Sequence, residues 1–378
     1  MGPLAGITVI ELAGIGPTPF AGMMLSDYGA TVIRVDRVGG SGNPLATGSG
    51  AMERGKRAIE VDLKSPEGVA VVLDLVERAD VLLEGFRAGV AERLGVGPAQ
   101  CHARNPGLVY GRMTGWGQDG PMSTVAGHDI NYISLGGPLA HIGRVGQVPT
   151  PPLNLIGDFG GGSLFVVLGI ISALLAVSRG ESGQVVDAAM VDGSAYLMSP
   201  LYAAHSHGGW TDQPGTNMLD SGAPFYDAYR CADGAFVAVG AIEPQFYAEL
   251  LDCLGLTDDD LPGQWDREGW PVIRQRFTEV IGAKTRDEWA VIFDGRDACA
   301  TPVLTMGETP NHPQAVDRDA FFTFGDVTQP RPAPRFSGTP TEPATQSSQP
   351  GDDTDEVLAE LGYDSERIAG LRQSGVVG

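Results

Sequence analysis

Within its first 37 residues the chain changes hydrophobic period twice, and this limits its fold more than any other feature. Ile7 to Leu12 is a β-rich apolar run, Gly14-Ile15-Gly16-Pro17 reads as a turn, and Thr18 to Tyr28 has helical spacing. Gly29 closes that helix, and Thr31 to Val35 is again an apolar, β-branched run. Strand, helix and strand in so short a span form a βαβ unit, which argues for a parallel sheet with covering helices. The pattern continues with strands at Ala58 to Asp62, Val81 to Glu84 and Leu108 to Met113, and a helix at Pro66 to Ala79. A Gly-rich loop follows over Thr114 to Pro121. A further strand falls at Gln184 to Asp187, with a helix after it to about Ala204.

The texture then changes. Phe225 to Cys231, the Asp233-Gly234 turn and Phe236 to Gly240 read as a β-hairpin. Helical segments around it suggest a smaller α+β domain to about Asp317. From Gln329 to Pro350 six of 22 residues are Pro, which reads as an extended linker, and two short helices follow at Asp353 to Leu361 and Ser365 to Gln373. The longest apolar run, Leu164 to Val177, has 14 residues. A membrane span needs ~20, so this run reads as a buried helix.

Charge excludes some partners. The chain of 378 residues carries 25 basic and 47 acidic side chains, a net −22, which argues against broad nucleic-acid binding and against anionic membranes. From Arg34 to Arg104 there are ten of each sign, so the remaining 15 basic and 37 acidic residues carry the whole deficit. A neutral segment in an acidic chain is either a small-anion site or an ordinary paired surface. The cysteines Cys101, Cys231, Cys253 and Cys299 have no CxxC spacing, so neither a zinc knuckle nor a dense disulfide framework is expected. Met1 to Gly6 lacks a basic segment and Glu11 interrupts the apolar stretch after it. A soluble cytoplasmic protein is the expectation.

Several residues are candidates for chemistry. Gly14-Ile15-Gly16 falls short of a dinucleotide fingerprint because Pro19 occupies the third glycine position, and Arg37 follows Asp36 at the end of the second strand. Gly55-Lys56-Arg57, Asp62-Leu63-Lys64-Ser65-Pro66, Gly85-Phe86-Arg87 and Arg93 would present cations and free backbone N–H groups to a phosphate. Ser65 and Pro66 are equally explained as a helix cap and its first turn. His128 sits in Gly127-His128-Asp129-Ile130-Asn131-Tyr132, and Asp158 in Asn154-Leu155-Ile156-Gly157-Asp158-Phe159 just before the apolar helix. A structural histidine and an N-capping aspartate are the plainer readings of these two. His205 and His207 have no third ligand nearby, and neither a GxSxG elbow nor a phosphate-binding P-loop is present.

At Ala126 to Tyr132, at Gly157-Asp158-Phe159-Gly160-Gly161-Gly162 and at Glu243-Pro244-Gln245-Phe246 the sequence resembles the α-methylacyl-CoA racemases of the family III CoA-transferase superfamily. Glu11 to Pro17, Tyr28 to Arg37, Asp62 to Pro66 and Asp355 to Gly362 extend the likeness over nearly the whole chain. The resemblance implies an α/β fold with a Rossmann-like, CoA-binding large domain over 1–190 and a connecting helix and linker over 191–222. A small α+β domain over 223–317, a Pro-rich return linker over 318–350 and C-terminal helices over 351–378 packing on the large domain would follow. It implies an interlocked homodimer, with each active site formed where one subunit's large domain meets the other's small domain.

The implied reaction inverts C2 of a 2-methylacyl-CoA thioester, with no metal or redox cofactor and with CoA as part of the substrate. Inversion by 1,1-proton transfer needs two acid–base groups on opposite faces of C2. By resemblance His128 serves the 2S substrate and Asp158 the 2R, with Glu243 orienting or charge-pairing His128 and Asn154 holding Asp158. The Asp129 backbone N–H is the candidate donor to the enolate oxygen. CoA is expected against Arg37, Val61, Asp62, Leu63, Lys64, Gly85, Phe86, Arg87 and Arg93. Gly127, Asp129, Ile130, Asn131 and Tyr132 are expected to hold the rest of the substrate. The rival is a CoA transferase, in which Asp158 would attack the acyl-CoA through an anhydride. Val239-Gly240-Ala241-Ile242-Glu243-Pro244 lacks the glycine run of many transferases, and His128 is present; both favour the racemase.

Overall fold

The computed structural model describes residues 2–40, 50–344 and 346–378. They form two compact units. The first takes in Met1–Gly136, Leu153–Met198 and Gln314–Gly378, the second Gly137–Pro152 and Ser199–Pro313.

The first unit is built on six parallel strands: β1 (Thr8–Leu12), β2 (Thr31–Asp36), β3 (Lys56–Glu60), β4 (Val81–Glu84), β5 (Val109–Thr114) and β6 (Val185–Ala189). Their order is β3-β2-β1-β4-β5-β6, that of a doubly wound dinucleotide-binding sheet, in which the winding reverses between β1 and β4. Its helices are α1 (Pro17–Asp27), α2 (Pro66–Val76), α3 (Val90–Leu94), α4 (Pro98–Arg104), α5 (Asp129–Leu135), α6 (Leu164–Ser178) and α7 (Met190–Leu197). Ile10, Leu12, Ile33, Leu82 and Tyr110 face α2, while Val9, Val32, Val81, Leu83 and Met113 face α1 and α6. Burial on both faces is why these strands read as continuous apolar runs rather than alternations.

Beneath α1 lies a buried ion pair. Glu11 of β1 and Lys56 of β3 meet at 2.8 Å, and both side chains are fully enclosed. Lys56 also donates to Glu53 at 2.9 Å and to the Pro19 carbonyl at 3.0 Å, so one ammonium ties two strands to the first turn of α1. Burial, opposed by the Lys56 charge, lifts the Glu11 carboxyl above the usual carboxylate range. β3 is an edge strand, and its unpaired backbone would invite other chains. The C-terminal segment covers it: Val377 bridges Val61, the Asp353 carboxylate accepts the Ala58 N–H at 2.7 Å, and Val357, Leu358 and Ile368 enter the core beside α2.

The second unit has an antiparallel sheet of β7 (Tyr226–Arg230), β8 (Phe236–Gly240) and β9 (Ala300–Pro302). Phe225, Val237, Leu250, Ile273, Phe277 and Trp289 fill a core between that sheet and the helices Pro244–Leu254, Trp270–Ile281 and Arg286–Phe293.

Five expectations change. Residues 137–152, expected within the large domain, belong to the second unit, where Arg144 pairs with the buried Asp227 at 2.7 Å and Trp210 donates to His141 at 3.2 Å. Residues 191–198, expected as a connection, belong to the first unit, and the helix expected to run to Ala204 breaks before Ser199–Ser206. The segment 318–350 opens with a hairpin, Phe321–Phe324 paired with Val327–Pro330 around Gly325-Asp326, not with a linker. The apolar run is also not wholly buried. Counted from Leu155 it is a continuous helix of 24 residues, long and apolar enough to cross a membrane by length and composition. Here one face packs on β5 and β6, while Leu164, Leu168 and Leu175 point to solvent.

Candidate active site

Ligands of doubly wound sheets bind beyond the carboxyl ends of the strands, at the point where the winding reverses. In the first unit that point lies between the loop after β1, Ala13 to Gly16, and the loop after β4, Gly85 to Gly89. Gly85 has no room for a side chain, because Thr18 Oγ1 occupies the place of its Cβ. Thus the β4 loop closes directly onto the first turn of α1.

Asp158 stands beside this crevice. It lies in a π-helix, Leu155–Ser163, that continues into α6. π-helical turns are uncommon and concentrate at functional sites. This one is held by close packing that glycines allow: the carbonyl of Gly161 fills the space a Cβ on Gly193 of α7 would need. Its other side docks on the start of α1, where Ser163 Oγ donates to the Pro17 carbonyl at 2.8 Å and Phe159 packs on Phe20 with ring centroids 4.6 Å apart. A Cβ on Gly16 would lie 3.5 Å from Asp158 Oδ2.

The half-buried Asp158 carboxyl is lifted above the usual aspartate range, first by desolvation and then by the nearby negative charge of Asp129. Asn154 Nδ2 donates to its Oδ2 at 3.1 Å and His128 lies within electrostatic reach; both pull the other way.

His128 precedes α5, with an exposed side chain and a backbone N–H that donates to Asn131 Oδ1 at 3.1 Å. The residue before it is anchored by Tyr132, whose hydroxyl donates to the Gly127 carbonyl and whose ring meets Trp116 edge-on at 4.9 Å. Tyr132 is buried in that role, so its task is holding the loop rather than meeting a ligand. The Asp129 side chain is buried as well and accepts the Asp158 N–H at 2.8 Å, while Ile130 and Asn131 are exposed. His128, Asn154 and Asp158 therefore come together on one unit from segments about 30 residues apart. The Asp129 carboxylate, considered in the sequence only for its N–H, joins them, and its partner 29 residues on has no local signal.

The cation-rich segment separates into two groups. Arg34, Arg54, Lys56, Arg57 and Arg104 are in ion pairs, and Arg78 donates to the carbonyls of Glu360 and Leu361. Arg37, Lys64, Arg87 and Arg93 have no ion-pair partner among the described residues, and all four are exposed beyond the ends of β2, β3 and β4. Asp62 is engaged locally, accepting the Lys64 N–H at 3.0 Å, and Leu63 is half-buried against the core. Val61 offers no side chain to a ligand: it is buried in the core beside α2 and its N–H donates to Asp36. Gly85 and Phe86 shape the β4 loop, where the Phe86 N–H donates to Glu84 at 2.6 Å. Glu243 belongs to the second unit, exposed at the start of the helix Pro244–Leu254.

The profile described as CoA-transferase family III matches residues 4–354. The chain belongs to CoA-transferase family III. Within the family it is 49% identical over 376 residues to "Alpha-methylacyl-CoA racemase" of Mus musculus, spanning 99% of this chain and 97% of that protein. Identity to "Alpha-methylacyl-CoA racemase" of Homo sapiens is 47%, with the same two coverages. Among solved structures, a CAIB/BAIF family protein from Brucella suis has a TM-score of 0.83 at 26% identity, covering 95% of this chain and 99% of that one.

Proposed function

We propose that this chain is an α-methylacyl-CoA racemase, interconverting (2R)- and (2S)-2-methylacyl-CoA thioesters by 1,1-proton transfer. The observation that carries the reading is the convergence of His128 and Asp158, two acid–base groups, at the carboxyl edge of the sheet, in a chain close to half identical to two racemases. His128 removes the C2 proton of the 2S substrate and Asp158 returns one on the opposite face; the reverse reaction exchanges the roles. Desolvation favours the protonated form of Asp158 and so suits it to deliver a proton. Charge that develops on the thioester oxygen is met by the Asp129 backbone N–H, which has no protein acceptor among the described residues. Acid–base chemistry alone completes the inversion, so the reading requires neither metal nor redox cofactor.

The phosphates of CoA lie against Arg37, Lys64, Arg87 and Arg93, the cations at the strand ends without an ion-pair partner among the described residues. The active assembly is an interlocked homodimer in which Glu243 of one copy orients His128 of the other. Exposed apolar side chains on two helices of the same unit support this: Leu164, Leu168 and Leu175 on α6, and Tyr196 and Leu197 on α7. Exposed apolar patches on a protein mark interaction surfaces.

Proton NMR of a (2R)-2-methylacyl-CoA with the enzyme in deuterium oxide tests the reading. The expected result is loss of the C2 proton signal together with appearance of the 2S epimer. Acyl transfer to a free acid without exchange at C2 would instead make Asp158 the nucleophile of a CoA transferase.

A further inference from the structure

Asp129 raises a question that its backbone role does not answer. Its side chain is only 6% exposed, and one oxygen, Oδ2, is buried without a hydrogen-bond partner among the described residues. Buried carboxylate oxygens are costly to leave unpartnered, and such exceptions tend to have a use. The other oxygen accepts the backbone N–H of Asp158 at 2.8 Å. That approach depends on Gly157, because a Cβ there would lie 2.5 Å from Asp129 Oδ1. A carboxylate is thus clamped to the peptide that carries Asp158, at the start of the helix that follows His128.

We propose that the Asp129 carboxylate is a positioning residue for one face of the reaction: it fixes the Asp158 turn and sets a negative charge beside the Asp158 carboxyl. This rests on the racemase reading above and assigns the side chain a task separate from the enolate contact of its own N–H. The two tasks differ in symmetry. Loss of an enolate donor slows abstraction from both enantiomers alike, because both pass through the same enolate. Loss of the carboxylate acts directly on the Asp158 peptide and carboxyl, and so chiefly on the 2R substrate.

The experiment compares C2 deuterium exchange of the two enantiomers across pH for wild type, Asp129→Asn and Asp129→Ala. Asp129→Asn keeps an oxygen for the Asp158 N–H and removes the charge. The acid limb of 2R exchange then moves to lower pH, while the 2S profile stays in place. Asp129→Ala removes the clamp as well, and the expected loss in 2R exchange is ~10–10²-fold, with a much smaller change for 2S. If Asp129→Ala does not fold, the Asp129→Asn profile decides alone. Equal effects on both enantiomers, or an unmoved 2R limb in Asp129→Asn, overturn the proposal. Absence of C2 exchange in the wild type would instead overturn the racemase reading itself.

Discussion

The proton affinity of Asp158 is set by opposed influences. Desolvation and the Asp129 charge raise its pKa, while the Asn154 amide and His128 lower it; the balance is upward. A carboxyl acts as a base only above its own pKa. Exchange of the 2R substrate through Asp158 should therefore fade, on going to acid, at a higher pH than an ordinary aspartate would allow. Asn154→Ala removes a contact that favours the charged form, so its acid limb should move higher still. A limb that moves down in rate-against-pH measurements contradicts the assigned roles. The two bases also separate by substrate. Asp158→Asn should lose racemisation yet still wash deuterium into the 2S substrate through His128, and His128→Asn should do so only for the 2R. The same ratio of exchange rates in both variants means that one base does not serve each face. Farther along the same edge, Arg87→Ala should raise KM for acyl-CoA several-fold with kcat little changed, because phosphate contacts bind ground and transition states alike. An unaltered KM in steady-state kinetics removes Arg87 from the CoA site.

Individual elements depend on pairs that the chain brings together from a distance. Lys56 is the cation paired with the buried Glu11, and Gly22 of α1 leaves room for that carboxylate. Lys56→Met strands Glu11 without its partner. The expected loss is ~3–5 kcal/mol in urea unfolding, most of it recovered in Lys56→Met/Glu11→Gln. If the single variant loses under ~1 kcal/mol, water reaches Glu11 and the pair is not a structural tie. Elements were readable where a local rule suffices. β1, β2 and β4 lie within a residue of the apolar runs, and Ser65 caps α2 by accepting the N–H groups of Glu67 and Gly68. The hairpin at Phe321 to Pro330 was also readable: two short β-forming runs flank Gly325-Asp326, a two-residue turn. The prolines just after it drew the boundary of the linker too early. The π-helical turn at Asp158 had no such cue, since its glycines serve contacts with α5 and α7 rather than a local conformation.

For the whole molecule, the proposed dimer makes the sharpest demand. If Glu243 reaches His128 from the other copy, no active monomer exists. Inactive His128→Ala and inactive Glu243→Ala chains, co-expressed so that heterodimers form, should regain part of the activity. Verified heterodimers with none would require a site made within one chain. Sequence alone was enough for the parallel α/β architecture, because continuous apolar, β-branched runs alternate along the chain with segments of helical period. Through the resemblance it was also enough to single out His128, Asn154 and Asp158, whose motifs are contiguous. Tertiary structure alone decided that residues 137–152 leave the first unit to pair Arg144 with Asp227, and that six of ten neighbouring cations are taken up internally while Arg37, Lys64, Arg87 and Arg93 have no ion-pair partner among the described residues. It alone decided that Asp129 grips the Asp158 peptide. Most of the contacts involved join residues tens of positions apart. No propensity or spacing encodes such a contact, because its energy exists only after packing has excluded water from both partners.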